Sequence, residues 1–179
     1  MKNYLFLCLC FFLLNTEPGA QMRHDTCRYL QQLAGEWRYT NGNDTIRICL
    51  RYARYLNTSF NTMDDVLFGW HEYKQGNTVI ESIYQNRFMN MSRPDTFSNN
   101  SVSIGITMGS EPEYCNDTIK KAYGVITDYS QAKEPKYITV TLNATGTIMT
   151  WKQRDAEGYG QFTGATGMTL PREFILTKQ

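Results

Sequence analysis

From Trp37 onward the chain alternates apolar and polar positions with a period of two. Trp37 and Tyr39 alternate with Glu36 and Arg38; Ile46, Ile48, Leu50 and Tyr52 alternate with Arg47, Cys49 and Arg51. Successive side chains of a strand point to opposite faces, so this rhythm predicts sheet with one buried face. Between the two runs lies Asn41-Gly42-Asn43-Asp44, whose residues tolerate positive φ and close tight hairpins. The same reasoning predicts strands at Val66–Lys74, Thr78–Gln85, Val102–Met108, Ala122–Tyr129, Tyr137–Leu142, Thr147–Gln153 and Phe174–Lys178. Gln75-Gly76-Asn77, Glu111-Pro112-Glu113, a polar stretch with Pro135, and Asn143-Ala144-Thr145-Gly146 separate them. Asn90–Ser101 and the glycine-rich Asp155–Gly167 read as loops. Ahead of the first strand, Cys27, Leu30 and Leu33 recur every three residues. That spacing predicts one short helix within His24–Leu33, which Gly35 ends.

About eight short strands joined by hairpin signals predict an all-β fold, an antiparallel up-and-down β-barrel with a short N-terminal helix. No helix alternates with the strands, which argues against a parallel α/β sheet. The start of the chain has a different character. Lys2 is followed by an apolar run from Tyr4 to Leu14 and by the turn-prone Asn15–Ala20. That is the order of parts in a secretory signal peptide, and the run is too short to span a bilayer as a helix. The expected organisation is a signal peptide over 1–20, cleaved after Ala20, a helical lead-in over 21–34 and a barrel domain over 35–179.

The formal net charge is +1, so nothing in the charge predicts a nucleic-acid or charged-membrane partner. Beyond the leader no apolar run approaches membrane length, so no stable transmembrane segment is expected in the mature chain. The chain has five cysteines, and Cys8 and Cys10 belong to the leader. Cys27, Cys49 and Cys115 remain. An exported protein meets oxidising conditions, and three cysteines allow at most one internal bridge with one thiol left over. The pairing stays open.

Catalytic motifs are absent: no Gly-x-Ser-x-Gly elbow, no His-Glu-x-x-His, no phosphate-cradling loop and no dinucleotide fingerprint. There are two histidines, His24 near the new terminus and His71 in a strand. His71 as a general base would need a nucleophile and an orienting acid beside it, and Cys49 or Cys115 are the thiols that could serve. Asp64-Asp65, Glu111/Glu113 and Asp155/Glu157 are the close carboxylate pairs, and all read as loop residues. No catalytic residue, metal site or cofactor is therefore assigned. The aromatic side chains carry the remaining signal. Tyr39, Tyr52, Trp70 and Trp151 are candidates to line a barrel cavity for a small apolar or sugar-like ligand. Core filling is the competing use of them.

Gly35-Glu36-Trp37, a Gly-x-Trp motif after a short helix and at the start of the first strand, resembles the opening of the barrel in lipocalins, fatty-acid-binding proteins and avidins. The resemblance implies that Gly35 allows a sharp turn and Trp37 plugs the closed end. It also implies an arginine laid across the tryptophan, Arg172 by position and Arg154 second. A wider resemblance runs from about Leu33 to Gln179. Its stretches Leu33–Leu50, Gly69–Ser82 and Leu170–Gln179 are similar to a family of small secreted Bacteroidetes-type proteins, a domain of unknown function. It implies a bacterial exported protein and carries no activity with it. In such a host the Asn-x-Ser/Thr triplets at Asn43, Asn57, Asn90, Asn99, Asn116 and Asn143 follow from an Asn- and Thr-rich composition rather than from glycosylation.

The sequence thus reads as a secreted or periplasmic, non-catalytic binding module. A small secreted hydrolase is the first alternative, and an inhibitor or interaction partner of another exported protein is the second. A hollow ring would favour a ligand inside it. Titratable side chains meeting in a cleft would favour an enzyme. A filled ring with a flat exposed apolar patch would favour recognition of another protein, and a packed interior would count against a ligand inside the barrel.

Overall fold

The structure is a computed structural model that describes residues 21–23, 25–58, 60–91, 101–107, 120–128, 132–154 and 169–179. Its strands are β1 (Gln21–Arg23), β2 (Gly35–Asn41), β3 (Asp44–Asn57), β4 (Thr62–Gln75), β5 (Thr78–Ser82), β6 (Ile104–Thr107), β7 (Lys120–Asp128), β8 (Ala132–Leu142), β9 (Ile148–Arg154) and β10 (Glu173–Lys178). One helix, α1 (Tyr29–Leu33), precedes β2, and a 3₁₀ turn at Tyr84–Phe88 follows β5. Eight strands close into an antiparallel barrel in the order β2-β3-β4-β6-β7-β8-β9-β10, with β10 returning to β2. The all-β barrel read from the alternation is the fold.

The β2/β3 hairpin pairs from Gly35 opposite Leu50 to Asn41 opposite Asp44, and Gly42 takes a positive φ of 56° in its turn. The pairing of β3 with β4 runs over 14 residues on each strand. This length exceeds that of β6, so three partners share the far edge of β4. β1 pairs with Thr62–Asp64 in parallel, β6 with Val66–Gly69, and β5 with Glu72–Gln75. β6 and β7 approach unusually closely. A Cβ on Gly124 would stand 2.1 Å from the Gly105 carbonyl oxygen, so only glycine fits there.

Register sets which residues fill the ring. Trp37 pairs with Ile48 and Ile48 with His71, while Trp151 pairs with both Val140 and Phe174. Leu67, Ile106, Ile126, Met149 and Leu176 join them in one apolar cluster. Trp37 keeps 1 % of its surface exposed, and Trp151, Ile48, Met149 and Leu176 keep none. Among the described residues these side chains leave almost no surface between them that water can reach, as expected for an eight-stranded barrel filled by its own side chains.

Several boundaries differ from the sequence reading. The helix begins only at Tyr29, where Asp25 Oδ2 accepts a 2.6 Å hydrogen bond from the Leu30 N–H. The run Thr78–Gln85 divides into β5 and the 3₁₀ turn. Strand β8 continues through Pro135, which pairs opposite Thr127 beside a register shift at Thr127/Asp128; a bulge is where a strand accommodates proline. Asp64 and Asp65 lie in β4 rather than in a loop. β1 has no precursor in the pattern, being three residues long. The middle of the expected loop Asn90–Ser101, residues 92–100, and the expected loop 155–167, with Cys115, Glu111, Glu113, Asp155 and Glu157, fall outside the described residues.

Candidate functional site

The end of the barrel at Gly35 is closed from within the chain. Helix α1 lies across it with Leu30 and Leu33 buried, and the Trp37 indole N–H donates to the Leu33 carbonyl at 2.8 Å. The cation over Trp37 is Lys178, not Arg172: its Nζ lies 5.2 Å from the ring centroid and donates to the Gln32 carbonyl at 2.8 Å. Register explains the change, because Lys178 pairs with Trp37. Arg172 lies six residues back along the strand, where its carbonyl accepts from Gln153 N–H. At ~3.4 Å per residue that is roughly 20 Å from the tryptophan. Arg172 is exposed there, and Arg154 sits beside the Tyr137 ring. Gly35 has φ 131°, and a Cβ on it would meet Lys178 Cε at 3.0 Å, so the glycine serves both the turn and the lysine's path.

Nearby, the Asp65 carboxylate gathers Tyr52 Oη at 2.7 Å, Arg54 Nε at 2.7 Å and the Asp25 N–H at 2.9 Å. Burial by itself would raise the acid's pKa. The hydrogen bonds from Arg54, Tyr52 and Asp25 outweigh it and hold the carboxyl at about 2. Tyr52 is thus part of the tie between the lead-in and the barrel.

The other aromatic candidates are dispersed. Tyr39 is half-buried near the opposite end, 5.5 Å from the Phe174 ring. Trp151 is stacked on Phe174 at 5.8 Å in the centre of the core. Trp70 does not line the interior. It pairs with Cys49, on the face of β4 opposite to His71, and forms a second cluster with Cys49 and Tyr84. Its indole N–H donates to the Ser101 carbonyl at 2.8 Å. The large apolar residues of β4 therefore divide between both faces of the sheet, the outer one covered by the segment after β5.

His71 has found an acid and a hydroxyl that sequence spacing could not reveal. Its Nδ1 lies 2.7 Å from Ser103 Oγ, and its Nε2 stands 3.3 Å from Glu81 Oε1. Thr169 donates to the other Glu81 oxygen at 3.2 Å. The chemical types match a Ser-His-Glu relay, yet the arrangement is sealed. His71 has no exposed surface and Ser103 has 3 %. Ser103 Oγ also faces the Gly69 carbonyl at 3.3 Å, and the Ser103 N–H is spent on that same carbonyl at 3.0 Å. The Nε2 contact with Glu81 lacks hydrogen-bond alignment. A nucleophile must reach a carbonyl carbon and needs donors for the oxyanion, and neither requirement is met. Cys49 is equally unsuited. It lies on the outer face, away from His71, and burial pushes its thiol pKa up. Cys27, by contrast, is in a disulfide, with a partner outside the described residues. Among the described residues no group of three or more His, Cys, Asp or Glu side chains could hold a metal ion, and no helix is long and apolar enough to cross a membrane.

Among the described residues a concavity lies on the outer wall, over β2, β3 and β4. It has a volume of about 420 Å³ and is lined by Glu36, Arg38, Arg47, Glu72, Lys74 and Tyr84, with Thr45, Gly76 and Gln179 at its margins. Cross-strand register builds the floor: Arg38 stands opposite Arg47, and Arg47 opposite Glu72. Glu72 is shared by Arg47 and Lys74, each at 3.3 Å, and Glu36 meets Arg87 at 3.5 Å. The 3₁₀ turn folds back so that the Tyr84 ring is held between the Arg47 and Arg87 guanidinium groups, each 4.2 Å from its centroid. Burial pushes the Tyr84 phenol up, Arg47 pulls it down and Glu36 pushes it up; the net shift is upward, so the hydroxyl is a neutral donor near pH 7. Arg38 is exposed and has no hydrogen-bond or ion-pair partner among the described residues. Like charges directly opposite on neighbouring strands are destabilising. The groove thus holds one uncompensated cation beside a second.

No curated protein and no solved structure shows significant similarity to the chain. A family of unknown function matches it along residues 1–179, and on that full-length match the chain belongs to the DUF6705 family.

Proposed function

We propose that this protein is an exported, non-catalytic binding module that holds a small polar ligand in the groove on its outer wall. One observation carries the reading: the ring is filled by its own side chains, while a half-enclosed cavity outside it contains an unpaired arginine. The lining is charged and hydrogen-bonding, which disfavours an apolar ligand there. Export is supported by the signal-like residues 1–20 and by the disulfide at Cys27, a bond that persists in oxidising compartments. The lipocalin- or avidin-like character of the barrel is part of this reading, supported by the helix over one end and by Trp37 beneath a terminal-strand cation. A Bacteroidetes-type origin rests on the sequence resemblance alone.

The test is chemical-shift mapping on isotope-labelled protein recovered outside the cytoplasm, whose first residue is expected to be Gln21. A sugar, a sugar acid and a fatty acid serve as separate probes. Amides of Glu36–Arg38, Thr45–Arg47 and Glu72–Gly76 are expected to shift with a polar probe, while the Trp151 indole signal stays fixed with all three. Movement of Trp151 with the fatty acid and a silent groove would reverse the assignment.

A further inference from the structure

Resting on that reading, we infer that the groove recognises a saccharide unit bearing a single carboxylate, a hexuronate. The charge pattern leads to this class. Glu72 is already matched by Arg47 and Lys74, and Glu36 by Arg87. Of the cations among the described groove residues Arg38 alone lacks a counter-charge, and it stands opposite Arg47 in the sheet register. One carboxylate between the two guanidinium groups would remove their repulsion and gain bidentate, charge-assisted hydrogen bonds.

The remaining lining selects against other anions. Glu36 and Glu72 are among the lining residues, and carboxylates accept from hydroxyl groups. A sugar ring supplies several such donors, whereas simple dicarboxylates bring only further acceptors and phosphate brings at most one or two hydroxyls beside its charge. A polyphosphate or nucleic-acid strand would meet both acids. The Tyr84 faces are covered by Arg47 and Arg87 and its hydroxyl is hydrogen-bonded to Glu36, so the tyrosine offers no stacking surface. A volume of about 420 Å³ lies within the ~300–1,000 Å³ range of small-ligand sites. Free sugar acid and the terminal unit of an acidic polysaccharide share this chemistry.

Calorimetric titration of the mature protein and of Arg38→Gln tests the inference, with sodium glucuronate, a tetragalacturonate, glucose, succinate and inorganic phosphate as probes. Arg38 is exposed and faces a like charge across the hairpin, so the variant should melt no lower than the parent. Glucuronate or the tetramer is expected to bind one to one, glucose at least about tenfold more weakly, and the variant to lose about tenfold in uronate affinity, the usual scale for one charge-assisted hydrogen bond. Tighter binding of the tetramer assigns a polysaccharide source, and equal binding assigns the free acid. Phosphate or succinate matching glucuronate, or an unaffected variant, overturns the inference. Glucose binding as tightly as glucuronate overturns the charge assignment while leaving the groove as the site. Silence of every probe overturns both.

Discussion

Ser103 Oγ lies 2.7 Å from a histidine nitrogen inside a dry wall, and its role is read from what its loss would do to stability. Removing one partner from a buried hydrogen bond leaves the other unsatisfied, at a cost of about 1–3 kcal/mol. Ser103→Ala is therefore expected to lower the unfolding free energy by that amount in a urea titration. An unchanged midpoint would mean that the buried row of Ser103, His71 and Glu81 does not hold the wall together. This row was invisible in the sequence because its members are 32 and 10 residues from His71, and only strand pairing brings them together. The Trp37 cation shows the same limit. A basic residue near the chain's end was legible, but the choice between Arg172 and Lys178 depends on a register that spacing does not state.

Among the elements, α1 and the segment before it are the part most dependent on a single carboxylate. Asp65 binds the Asp25 N–H, Tyr52 and Arg54 together. Its pKa is about 2 in the folded chain against an ordinary 3.8. A carboxyl with a depressed folded-state pKa contributes stability that is full above its unfolded value and lost as pH falls through the folded one. The melting temperature is thus expected to drop between about pH 4 and pH 2, with a shallower drop in Asp65→Asn. Identical slopes for the two proteins would remove Asp65 from this role. The strands themselves were readable because their alternation and Asn-Gly turns agree. The helix start was not, since Asp25 rather than the apolar spacing sets it. Nor was the inward face of β4: Leu67 and Trp70 are both fully buried, on opposite sides of the sheet.

For the whole molecule, the closed antiparallel barrel follows from the count and spacing of the strands. The groove does not, because it requires Arg38 to face Arg47 across a hairpin and Tyr84 to return from a later turn. Whether the ring was hollow was equally hidden, since aromatic residues can either line a cavity or fill it. The exposures of Trp37, Trp151 and their neighbours answer that in favour of filling, and recognition consequently moves to the outer wall. Titration of the mature protein with cis-parinaric acid, a fatty acid whose fluorescence rises when it enters an enclosed apolar cavity, bears on this most directly. A filled ring gives no saturable rise. A saturable one-to-one increase that also quenches the buried tryptophans would contradict it.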